Sequence, residues 1–177
     1  MRSVCRTQLK RTALLISAVA ALSLVILAGG IWFLSRPVDI MEENSLPGEP
    51  QALPQEVGYS QFVQPGFGAA RLCAMPAVDG KDLYLYVTNP AANPHLMRAE
   101  VYTAVPRTDA STGKTTWEPD KLLGKTGFLE PGTYAEKVTL SRALPAGETP
   151  ISVKLALRNA ESGKSEGFVY LNMKVVN

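Results

Sequence analysis

The stretch "ISVKLALRN", residues 151–159, sets Ile151, Val153, Leu155 and Leu157 against Ser152, Lys154, Ala156 and Arg158 in strict alternation. Successive side chains leave a β-strand on opposite sides, so a period of two gives one face to an apolar core and the other to the surface. A helix over the same residues would mix the two sets. Two further stretches obey the same rule. In "DLYLYVTNP", residues 82–90, Leu83, Leu85 and Val87 alternate with Tyr84, Tyr86 and Thr88. In "FVYLNMKV", residues 168–175, Val169, Leu171, Met173 and Val175 oppose Phe168, Tyr170, Asn172 and Lys174.

Turn chemistry punctuates these runs. Asp79-Gly80 suits a tight hairpin, Pro131-Gly132 a type II turn, and Ala146-Gly147 a turn following Pro145. Strands are expected near 67–77, 82–88, 96–104, 121–127, 133–140, 151–158 and 168–176, with no helical period between them. Short strands at this spacing predict an all-β fold, a seven-stranded antiparallel immunoglobulin-like sandwich over 67–177, with a small antiparallel barrel as the alternative.

Upstream, the pattern changes twice. The run "TALLISAVAALSLVILAGGIWFL", residues 12–34, carries no charge over its 23 residues, and as a helix it would reach about 34 Å, enough to cross a bilayer. A cleaved signal peptide has a shorter apolar core and a small-residue cleavage site. Here the run is too long and closes on bulky residues. "LAGG" precedes Ile31, not the cysteine of a lipoprotein signal. Residues 1–11 hold Arg2, Arg6, Lys10 and Arg11, whereas Arg36 is followed by Asp39, Glu42 and Glu43. The positive-inside rule therefore keeps the N-terminus in the cytoplasm and places the rest of the chain outside the cell membrane, with Trp32 as an interfacial anchor at the outer end. Gly29 and Gly30 do not form a GxxxG motif and are read as ordinary membrane-helix glycines.

From 35 to 66 the chain carries five prolines and no sustained period, which reads as a semi-extended extracytoplasmic linker able to span about 100 Å at most. The alternative is that part of it, "YSQFV" at 59–63, packs on the domain as an edge segment.

Composition narrows the function classes. The net charge is +2, but four of the 18 basic residues precede the apolar run, and the rest of the chain is slightly acidic. A nucleic-acid partner is not expected, because phosphate binding needs a basic patch. Cys5 and Cys73 fall on opposite sides of the expected membrane helix, so they do not pair. Cys73 is read as a small core residue, with an intermolecular disulfide as the sharper alternative. With one histidine, His95, and no CxxC, no metal site or other cofactor is expected.

The passages "YVTNPAANPHLMRAEVY", 86–102, and "LEPGTYAEKVTLSRALPAG", 129–147, resemble the immunoglobulin-like modules of bacterial membrane-anchored surface proteins of Gram-positive type. There, similar N-P and P-G or A-G turns frame the strands. The resemblance covers about 82–158 and implies a binding or structural role, with no catalytic residues to carry over. The antibody-type cysteine pair and core tryptophan are absent, since Trp117 lies in "TDASTGKTTWEPD".

No nucleophile elbow, HExxH, phosphate loop or calcium loop is present. "GYSQF" lacks the last glycine of G-x-S-x-G, and "LPAGET" departs from a sortase signal. An enzyme is not expected, though the fold could assemble a hydrolase site from dispersed carboxylates. His95 is read as a solvated loop residue. Lys81, Asn172 and Glu100 have the residue types of an internal isopeptide bond.

With the leucines and valines inward, Tyr84, Tyr86, Phe168 and Tyr170, joined by Tyr102, form a candidate partner-binding face, because aromatic side chains are enriched at interfaces. Cross-strand aromatic pairing explains the same pattern without a partner. The loop from Arg107 to Asp120 is a second candidate surface. The expected function is an accessory or assembly module of the cell envelope that binds a protein or wall component; a passive spacer is the alternative.

Overall fold

A computed structural model describes residues 23, 25, 40–51, 53, 58–64 and 68–177. The chain divides into two compact units, residues 1–38 and 39–177. Of the first, only Ser23 and Val25 are described, and both are helical. The span 12–34 is otherwise outside the described residues, as are Arg2, Arg6, Lys10, Arg11 and Trp32. Among the described residues no helix is long and apolar enough to cross a membrane.

The second unit is all-β in its described part, with antiparallel sheets. In chain order the strands are β1 (Leu46–Pro47), β2 (Tyr59–Gln64), β3 (Gly68–Cys73), β4 (Ala77–Asp79), β5 (Asp82–Tyr84), β6 (Val87–Asn89), β7 (Leu96–Thr108), β8 (Thr115–Lys125), β9 (Thr133–Ala135), β10 (Val138–Thr139), β11 (Glu148–Arg158) and β12 (Ser165–Val176). They form sheets in the orders β1-β9-β6-β3-β2, β10-β5-β4 and β12-β11-β7-β8.

All three sheets contribute to one core. β3 supplies Leu72, β5 and β6 with the residues between them Leu83, Leu85 and Val87, β7 Met97 and Val101, and β11 Ile151, Val153, Leu155 and Leu157. Each of these is at most 2% exposed, and full burial of one such side chain contributes about 1.5–3 kcal/mol. The period of two read over 151–158 is therefore the division between core and surface. Val169, Leu171 and Met173 of β12 pack against the same core from its margin.

Twelve strands among the described residues replace the seven expected, because the runs read near 67–77, 82–88 and 133–140 are each divided in two and β1 and β2 come from the segment read as a linker. The run 82–88 breaks at Tyr86, whose φ of 50° is the left-handed conformation that side chains with a Cβ resist. Its N–H donates to the carbonyl of Glu136, in the matching gap between β9 and β10. The runs 82–89 and 133–139 thus pass between the three-stranded and the five-stranded sheet at the same level, in opposite directions. The turns follow their chemistry: Gly80 has φ 60°, Gly132 has φ 80°, and the Thr133 N–H bonds the Glu130 carbonyl, as a type II turn with Pro131 and Gly132 at its centre requires.

The segment read as a linker contributes to the fold. β2, which holds "YSQFV", pairs antiparallel with β3 from Tyr59↔Cys73 to Gln64↔Gly68. Leu46 and Pro47 pair with Tyr134 and Thr133 at the opposite edge. Residues 40–42 lie beside Phe128, through Glu42 N–H to its carbonyl and its N–H to the Ile40 carbonyl. A single extended stalk over 35–66 is therefore corrected: its hydrogen-bonding backbone finds open sheet edges and adds to them.

The expected loop 107–120 is also corrected. β7 and β8 run on as a ribbon to Thr108↔Thr115, leaving only 109–114 as the turn. Its residues are exposed on both faces, so no hydrophobic period marks it. The turn recurs: the Asp109 side chain accepts from the N–H groups of Ser111 and Thr112, and that of Asn159 from Glu161 and Ser162. Gly113 and Gly163 both have φ 65°.

Candidate binding face

The face of the four-stranded sheet turned away from the core is built by register. Across β7, β11 and β12, Tyr102 lies level with Ser152 and Asn172, Glu100 with Lys154 and Tyr170, and Arg98 with Ala156 and Phe168. Each triple alternates with a core triple, such as Val101, Val153 and Leu171. Arg98, Glu100 and Tyr102 therefore come to this face for the same reason that Met97, Ala99 and Val101 leave it.

Glu100 is the electrostatic centre. It is 6% exposed, and its carboxylate accepts from Tyr102 Oη at 2.8 Å, Lys154 Nζ at 3.1 Å and the guanidinium of Arg98. Burial by itself raises the carboxyl pKa. The Tyr102 and Lys154 hydrogen bonds and the positive charges of Arg98 and Lys154 outweigh it, holding Glu100 below its ordinary value. Burial and the bond to Glu100 together push the Tyr102 phenol up to about 12, so it stays a neutral donor.

Rings surround this cluster. Tyr102 and Tyr170 meet edge-to-face with centroids 6.3 Å apart, and Tyr170 meets Phe168 likewise at 5.5 Å. Lys154 Nζ lies 5.1 Å from the Phe168 centroid. Beyond Phe168, Arg98 stands 4.7 Å over the Phe128 ring. Phe168 is 55% and Tyr170 38% exposed, so the rings present apolar area to water while the charges beneath them are paired with each other. Near Asn172 the β7–β8 ribbon crosses close to β12: Asn172 Nδ2 donates to the Trp117 carbonyl at 3.0 Å. A cavity of about 200 Å³ lies there between Trp117, Pro150 and Met173.

The structure brings together Tyr102, Phe168 and Tyr170 and separates Tyr84 and Tyr86 from them. These two pair with each other, centroids 6.3 Å apart, on the strand run that crosses to the other sheets. Tyr86 lines a groove of about 290 Å³ with Tyr134, occupied along its wall by Pro47, Glu49 and Pro50. The expected single five-residue face is thus two surfaces, because residues 82–87 and β12 belong to different sheets.

The remaining candidates find structural roles. Cys73 is fully buried and free, and burial pushes its thiol up to about 11, which makes it a core residue and disfavours disulfide exchange. His95 is half-buried, not a solvated loop residue, and its carbonyl accepts from Asn89 Nδ2 at 2.9 Å. Asn89 and Asn93, in the "TNPAANPH" turn, are 0% and 6% exposed and bonded to one another at 2.7 Å. Glu100 and Asn172 are bonded to the partners given above, and Lys81 is among neither set, so the geometry of an isopeptide triad is not formed. Among the described residues no group of three His, Cys, Asp or Glu side chains could hold a metal ion.

The Arg98–Glu100–Lys154 cluster was not singled out from sequence. Its signal was there, in the alternation of "MRAEVYT", but the pairing of β7 with β11 is needed to bring Lys154 to Glu100. No protein-family model, curated protein or solved structure matches the chain.

Proposed function

We propose that this chain is a single-pass envelope protein, anchored by residues 12–34 with its N-terminus in the cytoplasm, whose outer domain is an immunoglobulin-like sandwich. In this reading the domain binds another protein or a wall component as an accessory or assembly module. Strand order supports the fold assignment. Taking β5 with β6 and β9 with β10 as interrupted single strands, and leaving aside the edge strands β1, β2 and β4, gives seven, with β3, β5–β6 and β9–β10 on one side and β12-β11-β7-β8 on the other. That is the A-B-E and G-F-C-C′ arrangement of immunoglobulin-like domains. Anchor and orientation rest on the uncharged run and the basic residues before it.

The observation that carries the binding role is the exposed chain of rings, Tyr102, Tyr170 and Phe168, held at fixed angles over a neutralised charge cluster. Rigid aromatic side chains supply contact area at small entropic cost, and such groups dominate interface energetics. A passive spacer has no need of them, so tolerance of substitution separates the readings. The test has two arms in intact cells. In a chain lacking Cys5 and Cys73, cysteines introduced at exposed Asn44 and Ser162 should react with a membrane-impermeant maleimide before lysis. A photo-crosslinking residue at Phe168 should then yield a discrete adduct that Tyr170→Ala abolishes. Labelling only after lysis reverses the topology, and an adduct indifferent to Tyr170→Ala removes the binding face.

A further inference from the structure

We infer that the groove lined by Tyr86 and Tyr134 is a recognition site for one cationic side chain, and that its occupant is an arginine presented by a protein partner. The groove, of about 290 Å³, is lined by these two rings, by Glu136 beside them, and by Glu49 between Pro47 and Pro50 on the facing wall. Its lining holds two carboxylates and no basic side chain. Its volume, at the lower end for small-ligand sites, suits a single side chain and not a larger ligand.

Both walls are held in place. Leu46 and Pro47 pair with Tyr134 and Thr133, and the Gly48 N–H donates to the Gly132 carbonyl at 2.8 Å. Beyond them the Arg71 guanidinium ties the Glu49 carboxylate to Gln61 Oε1 of β2. On the other wall the Tyr86 N–H donates to the Glu136 carbonyl at 2.9 Å, and Val87↔Ala135 and Thr88↔Tyr134 continue that pairing. Tyr86 keeps its place at φ 50°, a conformation that glycine adopts without strain and a tyrosine resists. The strained residue is one whose ring lines the groove.

Charge selects the occupant. Glu49 is already neutralised by Arg71, and Lys137, next to Glu136 in the chain, is bonded to Asp82. Glu136 is exposed, and among the described residues no basic side chain pairs with it. Burial, and after it the Glu136 charge, push the Tyr86 phenol up, so its ring stays neutral beside the carboxylate. A carboxylate next to two aromatic rings is complementary to a cation. A guanidinium fits better than an ammonium: its plane stacks on a tyrosine ring, its fork donates two hydrogen bonds to one carboxylate, and it is more weakly hydrated. A quaternary ammonium stacks but has no proton to donate to Glu136. Free arginine would bring its own carboxylate to a groove that already holds two, whereas an arginine within a chain brings none. The site lies on other strands than Tyr102, Tyr170 and Phe168, so it stands apart from that binding face and from the membrane reading.

The test uses the full-length chain in detergent, its tyrosine rings labelled with carbon-13, titrated by NMR with the capped tripeptide acetyl-Gly-Arg-Gly-amide. The Tyr86 and Tyr134 signals should move saturably while those of Tyr102 and Tyr170 stay. The same tripeptide with citrulline, which keeps the shape without the charge, should move none of them. The lysine tripeptide, choline and free L-arginine should each bind at least about threefold more weakly. Glu136→Gln, at an exposed position, should weaken the arginine tripeptide at least about fivefold. Tyr86→Gly removes the ring where glycine is unstrained; it should leave the Tyr102 and Tyr170 signals in place and abolish the Tyr134 shift, and if it misfolds, Glu136→Gln decides. Equal binding by any comparison ligand, shifts at Tyr102 and Tyr170 instead, or unchanged affinity in Glu136→Gln would each overturn the proposal.

Discussion

Glu42 Oε2 accepts a hydrogen bond from the Gly127 backbone N–H at 2.6 Å, across 85 residues of sequence. It fastens the segment before β1 to the chain between β8 and β9. A Cβ on Gly127 would fall 2.5 Å from the backbone nitrogen of Glu42, a distance no side chain can hold, and the clash is with main chain that cannot rotate away. Gly127→Ala should therefore release residues 40–50 while the core persists. The expected stability loss is about 1–3 kcal/mol, and limited proteolysis should cut within 40–50 far faster than in the wild-type chain. Unchanged cleavage would show that the strap tolerates the methyl group.

The Glu100 cluster gives a pH signature. Its carboxyl titrates lower in the folded chain than its ordinary value of 4.5. Its stabilising contribution is therefore complete above that value and is lost as the pH falls through the folded one. At pH 7, Glu100→Gln should destabilise by about 1–3 kcal/mol, because Lys154 and Arg98 lose their counter-charge but still reach solvent. Below about pH 4 the difference between the two proteins should shrink. Denaturant titrations of both at pH 7 and pH 3.5 measure it; a difference that does not change with pH would assign the cluster a packing role alone.

Asn93 holds the turn after β6 by exchanging hydrogen bonds with Ala69, its Oδ1 accepting at 3.1 Å and its Nδ2 donating at 2.6 Å. Nδ2 also reaches Asn89 Oδ1 at 2.7 Å. Asn93→Ala leaves all of these groups without it at a site only 6% exposed. The expected cost is about 2–4 kcal/mol by thermal or chemical denaturation. By contrast, Phe168→Ser on the exposed face should change stability by less than about 1 kcal/mol.

Cys73 should be silent in the folded protein. With the thiol at about 11 and no exposure, a thiol reagent at pH 8 should modify it only at the rate of unfolding, and denaturant should release it at once. Rapid reaction in the absence of denaturant would place Cys73 at an opening in the sheet.

How much was legible in the sequence follows from what each feature depends on. Burial of Ile151, Val153, Leu155 and Leu157, the antiparallel all-β class and the turns at Gly80 and Gly132 were readable, because periodicity and turn chemistry are local. The ribbon over 104–119 was not. Both of its faces meet water, so its pairing is stabilised by partners such as Arg107 and Glu118, at 2.8 Å, without any hydrophobic alternation. Nor was the capping of the five-stranded sheet by β1 readable, since proline-rich chain reads as linker until an open edge is beside it; for β2 the sequence offered the edge segment "YSQFV" only as the alternative, and its pairing with β3 selects it.

The sequence by itself determined which side chains face inward along each strand, because that depends only on the alternating geometry of the backbone. Only the tertiary structure decided which outward side chains share a surface. Lys154 meets Glu100, and Tyr102 meets Tyr170, through the register of β7, β11 and β12, while Tyr84 and Tyr86, alike in pattern, go to other sheets. Register is a long-range choice set by packing, and residue types at one strand do not encode their neighbours on the next.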